Sequence, residues 1–261
     1  MKKLFMMSLV ALVCVTMASC LRVKVGDGEW SLGKGHVNNT PTQVTQVNEV
    51  TQMQPFAKVN LEGPFDIVLE QGEGHSVRVE ATAEQLEKMT IYVKDEGLYI
   101  DQRKNESGKT FDGVKVFVTA PMIKDINLAG SGDIVVPKAL EVADLNISLA
   151  GSGDIAISQL TCHDMKISIA GSGDVIVGPT QANTVKTSVA GSGDIEFEGL
   201  TCTTLSNSIA GSGDLTFNNM NVDLVKNSIA GSGNVTLRGK VGSHKDSIAG
   251  SGRVDVSGLT Q

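Results

Sequence analysis

The chain has 261 residues, a formal charge of −7 and only 4% aromatic residues. An acidic surface excludes nucleic acid as a partner, because phosphates call for Lys and Arg, and it excludes charge as the means of holding an anionic bilayer. The scarcity of aromatic side chains points to a thin interior filled by Val, Ile and Leu.

The N-terminus reads Met1-Lys2-Lys3, then an apolar run from Leu4 to Met17, then Ala18-Ser19-Cys20. A basic start, an apolar core and small residues before a cleavage point make a secretory signal peptide over residues 1–19. A membrane span needs about 20 apolar residues, more than this run supplies. Met17-Ala18-Ser19-Cys20 resembles the lipobox of bacterial lipoproteins. That resemblance implies cleavage before Cys20, with Cys20 as the site of lipid attachment (palmitate or a similar acyl chain). The alternative is an ordinary signal peptide with an incidental Cys. Loss of Lys2 and Lys3 would take the formal charge from −7 to −9.

Residues 20–52 are poor in aliphatics and rich in Gly, Asn, Thr and Gln, the composition of a tether. Trp30, the sole Trp, lies within it. From Ala57 onward the pattern alternates with period two, as in Ser76-Val77-Arg78-Val79-Glu80 and Thr90-Ile91-Tyr92-Val93. One short helix is expected over residues 83–89 and an exposed loop over 102–112. Residues 53–125 read as irregular N-terminal β coils or a cap. Within them, the stretch from Val59 to Leu69 lines up with the stretch from Ile147 to Ile157, as a degenerate copy of the repeat that follows.

Residues 126–261 carry that repeat. Ala-Gly-Ser-Gly begins at Ala129, Ala150, Ala170, Ala190, Ala210, Ala230 and Ala249. A fixed period of about 20 residues marks one short unit stacked on itself. Its glycines let the chain turn sharply, and 20 residues of about 3.3 Å each give a contour of roughly 66 Å, one circuit of a narrow coil. The expected fold is all-β: a right-handed parallel β-helix with about 20 residues per rung. Ile155, Val175, Ile195, Leu215, Val235 and Val254 should form one core column. Ile157, Val177, Phe197, Phe217, Leu237 and Val256 should form a second, and Leu160, Leu200 and Met220 a third. Cys162 and Cys202 sit two repeats apart, about 9.6 Å across two rungs. A disulfide needs Cα atoms within about 7 Å, so both should be free and buried.

Asp133, Asp154, Asp174, Asp194 and Asp214 recur after the Gly-Ser-Gly corner, followed by Asn234 and Arg253. Turn capping by Asp is the simplest account. A cation ladder and a row contacting a glycan or protein are the alternatives. Calcium-binding β-rolls use a nine-residue Gly-Gly-x-Gly-x-Asp pattern, which this 20-residue period does not match. His36, His75, His163 and His244 do not recur with the repeat or fall at metal-ligand spacing. Ala-Gly-Ser-Gly is neither a Gly-x-Ser-x-Gly nucleophile elbow nor a phosphate loop. No residue is therefore assigned a catalytic, metal or cofactor role.

The stretch Pro55–Gly72 together with Ile126-Asn127-Leu128-Ala129-Gly130-Ser131-Gly132-Asp133-Ile134 and its later copies resembles the GIN domain family, the head domains of auto-transporter adhesins, frequent among envelope lipoproteins of Gram-negative bacteria. The resemblance covers residues 50–258 and implies a β-helical fold with no catalytic residues. The expected protein is a non-enzymatic lipoprotein held by its lipid to the envelope, at the outer membrane of a Gram-negative bacterium. It acts as an adhesion or interaction module toward a glycan or protein ligand. A periplasm-facing structural scaffold is the alternative, and a carbohydrate-active enzyme a distant third.

Overall fold

The structure, a computed structural model, describes residues 22–25, 28–31, 46–50, 53–103 and 111–260, the first three segments as backbone strands. A solenoid of about seven turns accounts for most of it. One turn is seen in β10 (Asp125–Gly130) and β11 (Ile134–Glu141), the next in β12 (Asp144–Gly151) and β13 (Ile155–Thr161). Corresponding strands pair in parallel, β10 with β12 and β11 with β13. Later turns continue that register without a break through Thr236. Each turn has a long side (such as β12), a short second side after the Gly-Ser-Gly corner, and a two- or three-residue third side near Leu160.

The corner explains the motif. In each turn the first Gly has a left-handed φ, +141° at Gly151 and +151° at Gly171. Two N–H groups of the next turn converge on its carbonyl: Ser172 and Gly173 donate to Gly151 O at 2.9 and 3.2 Å. That carbonyl therefore lies where a side chain would begin. A Cβ at Gly171 would stand 2.2 Å from Gly151 O, and one at Gly173 2.0 Å from Gly153 O. No residue larger than Gly fits this stacking distance.

The segment before the repeat belongs to the same coil. Strands β4 (Lys58–Gly63) and β5 (Asp66–Gln71) pair in parallel with β10 and β11, with Val59 opposite Ile126, Gly63 opposite Gly130 and Ile67 opposite Ile134. The degenerate copy read in the sequence is thus the turn next to the first regular one. The chain then leaves through β6 (Ser76–Ala81), helix α1 (Ala83–Glu87), β7 (Met89–Lys94), β8 (Gly97–Gln102) and β9 (Lys115–Ala120). Strands β8 and β9 pair in parallel with β4 and β5 on the side away from β10, adding a turn behind them. Antiparallel strands then cover that end: β7 on β8, β6 on β9, and β3 (Gln46–Val50) on β6. Helix α1 is a single capped turn: Thr82 Oγ1 accepts from Gln85 N–H, and Gln85 Oε1 from Thr82 N–H. A separate ribbon pairs β1 (Arg22–Val25) with β2 (Gly28–Ser31).

The core follows the predicted columns with two changes. Ile155, Val175, Ile195, Leu215, Val235 and Val254 stack in register, as do Ile157, Val177, Phe197, Phe217 and Leu237. The rings of Phe197 and Phe217 stack at 5.4 Å. Val256 does not continue this second column: the register shifts between Thr236 and Arg238, and Val256 is 36% exposed. In the third column Thr180 stands between Leu160 and Leu200, its hydroxyl donating to Gly178 O at 2.9 Å. Cys162 and Cys202 are free, with Ala182 between their rungs, and Cys162 is half-buried rather than enclosed. Burial pushes the thiols up, to about 11 for Cys162 and about 12 for Cys202.

The long side supplies the rest of the core and carries a feature that the residue pattern conceals. Its central inward column begins with Ile126, Ile147 and Ile167, then turns polar at Thr187, Asn207 and Asn227, all buried. These form a continuous chain. Thr187 Oγ1–H donates to Asn207 Oδ1 and Asn207 Nδ2–H to Asn227 Oδ1, both at 2.8 Å, and Asn227 Nδ2–H donates to Asp246 Oδ1 at 2.7 Å. Buried amides persist only when partnered, and stacking on the rung spacing supplies each with its partner.

Candidate interaction face

Outward residues of the long side form rows in register along the coil. One row runs Asn127, Ser148, Ser168, Ser188, Ser208, Ser228 and Ser247, and the next Ala129, Ala150, Ala170, Ala190, Ala210, Ala230 and Ala249. The corner serines, Ser131 through Ser251, are exposed beside them. A third row alternates amide, base and hydroxyl: Asn146, Lys166, Lys186, Ser206, Lys226 and Lys245. Rungs repeat at about 4.8 Å, and outward residues along one strand at about 6.7 Å. The result is a flat lattice of hydroxyls and methyls bordered by ammonium groups.

At the N-terminal end the same rows change character. The Ser row leads from Asn127 to Asn60 and then Tyr99; the Ala row leads from Ala129 to Glu62 and then Asp101. Asn127 Nδ2–H donates to Asn60 Oδ1 at 2.9 Å, and Asn60 Nδ2–H to Leu98 O at 3.1 Å. Tyr92, on β7, stacks on Tyr99 with ring centroids 5.0 Å apart and an interplanar angle of 8°. Tyr92 is 40% exposed. Burial pushes the Asp101 carboxyl above its usual range, a hydrogen bond with Tyr92 opposes that, and the nearby Glu62 charge adds to it. A ring pair, two carboxylates and two fixed amides thus share one open surface. Groups of these kinds are able to stack on and hydrogen-bond to a ligand.

The Asp row lies at the corner and is built differently from the expected turn caps. Each carboxylate accepts from the backbone of the next turn rather than from its own. Asp154 N–H donates to Asp133 Oδ1, Asp174 N–H to Asp154 Oδ1 and Asp194 N–H to Asp174 Oδ1, all at 2.9 Å, and Asp214 N–H to Asp194 Oδ1 at 2.7 Å. Asp66 heads the row, receiving Asp133 N–H at 3.3 Å, and Asn234 follows, giving both its N–H and its Nδ2–H to Asp214 Oδ1. Burial pushes Asp66 up, against the pull of the Asp133 N–H and Lys115. Burial also raises Asp194, the Asp214 N–H lowers it, and the flanking Asp174 and Asp214 charges raise it again. The stacking register makes this a staple between rungs, which one repeat read alone does not reveal.

The histidines are scattered. His163 is exposed at a bend, His75 Nε2 lies 3.0 Å from Phe56 O with its ring edge-on to Phe56, and His244 Nδ1 meets Asp246 Oδ2 at 2.8 Å. Among the described residues no three His, Cys, Asp or Glu side chains gather in a group suited to a metal. Cys20 and His36 lie outside the described residues, and Trp30 is described through its backbone alone. A shallow groove of about 240 Å³ on the third side is lined by Gln159, Thr161, Thr180, Gln181 and Asn219, none of them titratable. A second hollow, of about 420 Å³, has Glu73 and Glu141 on its rim, both exposed. Sequence reasoning missed the Tyr92–Tyr99–Asp101 patch because its residues come from strands that meet only through the irregular N-terminal turns.

Three solved structures of similar fold are each about one-fifth identical to this chain. A structure described as a "putative adhesin" from Bacteroides fragilis is 23% identical, with a TM-score of 0.74 over 80% of this chain and 95% of the other. A "putative lipid binding protein" from Parabacteroides distasonis is 22% identical, with a TM-score of 0.69 over 83% of this chain and 96% of the other. A "putative adhesin" from Parabacteroides merdae is 19% identical, with a TM-score of 0.63 over the same shares, 83% and 96%. These likenesses show the solenoid fold. No curated protein matches the chain. The profile of the family described as "Putative auto-transporter adhesin, head GIN domain" matches residues 55–220 and 206–261. The chain that builds this solenoid belongs to the GIN domain family of adhesin heads.

Proposed function

We propose that this protein is a non-enzymatic adhesion module of the bacterial envelope, anchored by lipid at Cys20 to the outer membrane, and that it binds through its long side. The observation that carries the reading is the patch of Tyr92, Tyr99, Asp101, Glu62 and Asn60 set at one end of a flat lattice of Ser and Ala. Sugar rings pair an apolar C–H face with equatorial hydroxyls. Stacked aromatic rings flanked by carboxylates and amides complement both features. The ligand class favoured is therefore a glycan rather than a protein. A glycan array probed with the purified chain tests this. Binding that falls at least tenfold with Tyr99→Ala and Asp101→Asn, at unchanged melting temperature, supports it; binding indifferent to both variants removes the patch from the function.

The anchor rests on Met17-Ala18-Ser19-Cys20, which follows a basic start and an apolar run. Cys20→Ser is expected to abolish acyl labelling and move the protein to the soluble fraction. Protease shaving of intact cells separates an adhesion module displayed outside from a scaffold facing the periplasm, since only the first is cleaved.

A further inference from the structure

The second side of the coil breaks the rule that the long side obeys. Its outward column runs, in register, Phe117, Val68, Val135, Ala156 and Ile176, and only then Glu196, Thr216, Thr236 and Asp255. Alternate residues of these strands already face the core: Ile67 and Leu69, Ile134 and Val136, Ile155 and Ile157. Yet Val135 and Ala156 are also 0% exposed and Val68 4%, forming a small apolar cluster of their own with Phe117 and Ile176. The Arg78 guanidinium closes the cluster at one end, 3.8 Å above the Phe117 ring. Strands apolar on both faces are covered on both faces.

The backbone of β1 lies close to β11 and β13, the strands that carry Val135 and Ala156. Its pairing with β2 sets Val23 opposite Trp30 and Val25 opposite Gly28, while Arg22 faces Ser31 and Lys24 faces Glu29. By type, Val23, Val25 and Trp30 are the apolar residues of this ribbon. A two-stranded ribbon of four-residue strands is marginal in water without a surface to pack on. We infer that the Arg22–Ser31 ribbon is a strap that covers the Val68–Val135–Ala156 strip. The outward column turns polar at Glu196.

Trp30 is the only tryptophan, so its fluorescence reports on the strap alone. In the full-length protein its emission should lie to the blue of free indole and resist acrylamide quenching several-fold. Ala156→Glu, which places a charge under the strap, should shift emission to that of exposed indole. Should Ala156→Glu fail to fold, the double variant Val23→Asp, Val25→Asp leaves the coil untouched and should produce the same shift. Cys20→Ser should keep the native emission, which separates the strap from the anchor. Wild-type Trp30 that emits and quenches as free indole, with the strip open to an apolar dye, would overturn the proposal.

Discussion

At the scale of single residues, the two glycines of each corner are not equivalent to a glycine such as Gly199. Gly173 has no room for a Cβ because the Gly153 carbonyl is 2.0 Å away, whereas a Cβ at Gly199 meets nothing nearer than 3.6 Å. Gly173→Ala should cost about 3 kcal/mol or more through forced separation of the rungs. Gly199→Ala should stay within about 0.5 kcal/mol. Urea midpoints distinguish them, and equal midpoints would mean the rungs stack more loosely than described. The Asp row gives a second contrast. Asp194 has a raised pKa in the folded state, so that state holds its proton more tightly than the unfolded chain does. Its contribution is therefore most favourable in acid and declines as pH rises from the ordinary carboxylate value through the folded one. Asp194→Asn should remove that dependence and change neutral-pH stability by no more than about 1 kcal/mol, in the stabilising direction. Asp194→Ala deprives the Asp214 N–H of its acceptor and should cost about 0.5–1.5 kcal/mol. An Asn variant as damaged as the Ala variant would show that charge, not acceptance, holds the row.

At the scale of elements, the buried polar column predicts non-additive behaviour. Asn207→Leu leaves the Thr187 hydroxyl and the Asn227 carbonyl without partners and should cost about 1–3 kcal/mol. Adding Thr187→Val and Asn227→Leu should recover part of that loss, since Ile147 and Ile167 show that the column accepts aliphatics. A triple variant less stable than the single one would count against the ladder as a self-contained unit. This column also marks the limit of what the sequence reveals. The period of 20, the corner glycines and the columns beginning at Ile155 and Ile157 are legible because every turn repeats them. The inward place of Asn207 and Asn227 is not legible, since their type is polar and only the register turns them inward. The burial of Val68, Val135 and Ala156 is not legible either, since nothing in the repeat marks the outward face of these strands as covered. The Tyr92–Tyr99 pair depends on antiparallel strands that no repeat announces. Legibility thus follows repetition, and the candidate site sits where repetition ends.

At the scale of the whole molecule, the two ends of the coil are unlike. The turn formed by β8 and β9 is closed by antiparallel strands, while the last described turn pairs on one side only and carries exposed Arg238, Lys240, Lys245 and Arg253. Charges on an unpaired rung discourage further strand addition. The interchangeable register between them has an evolutionary consequence. Because Gly151 and Gly171 occupy identical stations and the turn between them precedes the buried polar column, the gene can lose or duplicate that 60-nucleotide segment without creating a mismatched seam. Excising residues 151–170 would join Ala150 to Gly171, restore Ala-Gly-Ser-Gly at the junction and leave the Thr187–Asn207–Asn227 chain whole. The shortened protein should fold, one rung or about 4.8 Å shorter by small-angle scattering. Slippage between near-identical repeats would then adjust how far the lattice extends while leaving the Tyr99 patch untouched, so reach and recognition vary independently.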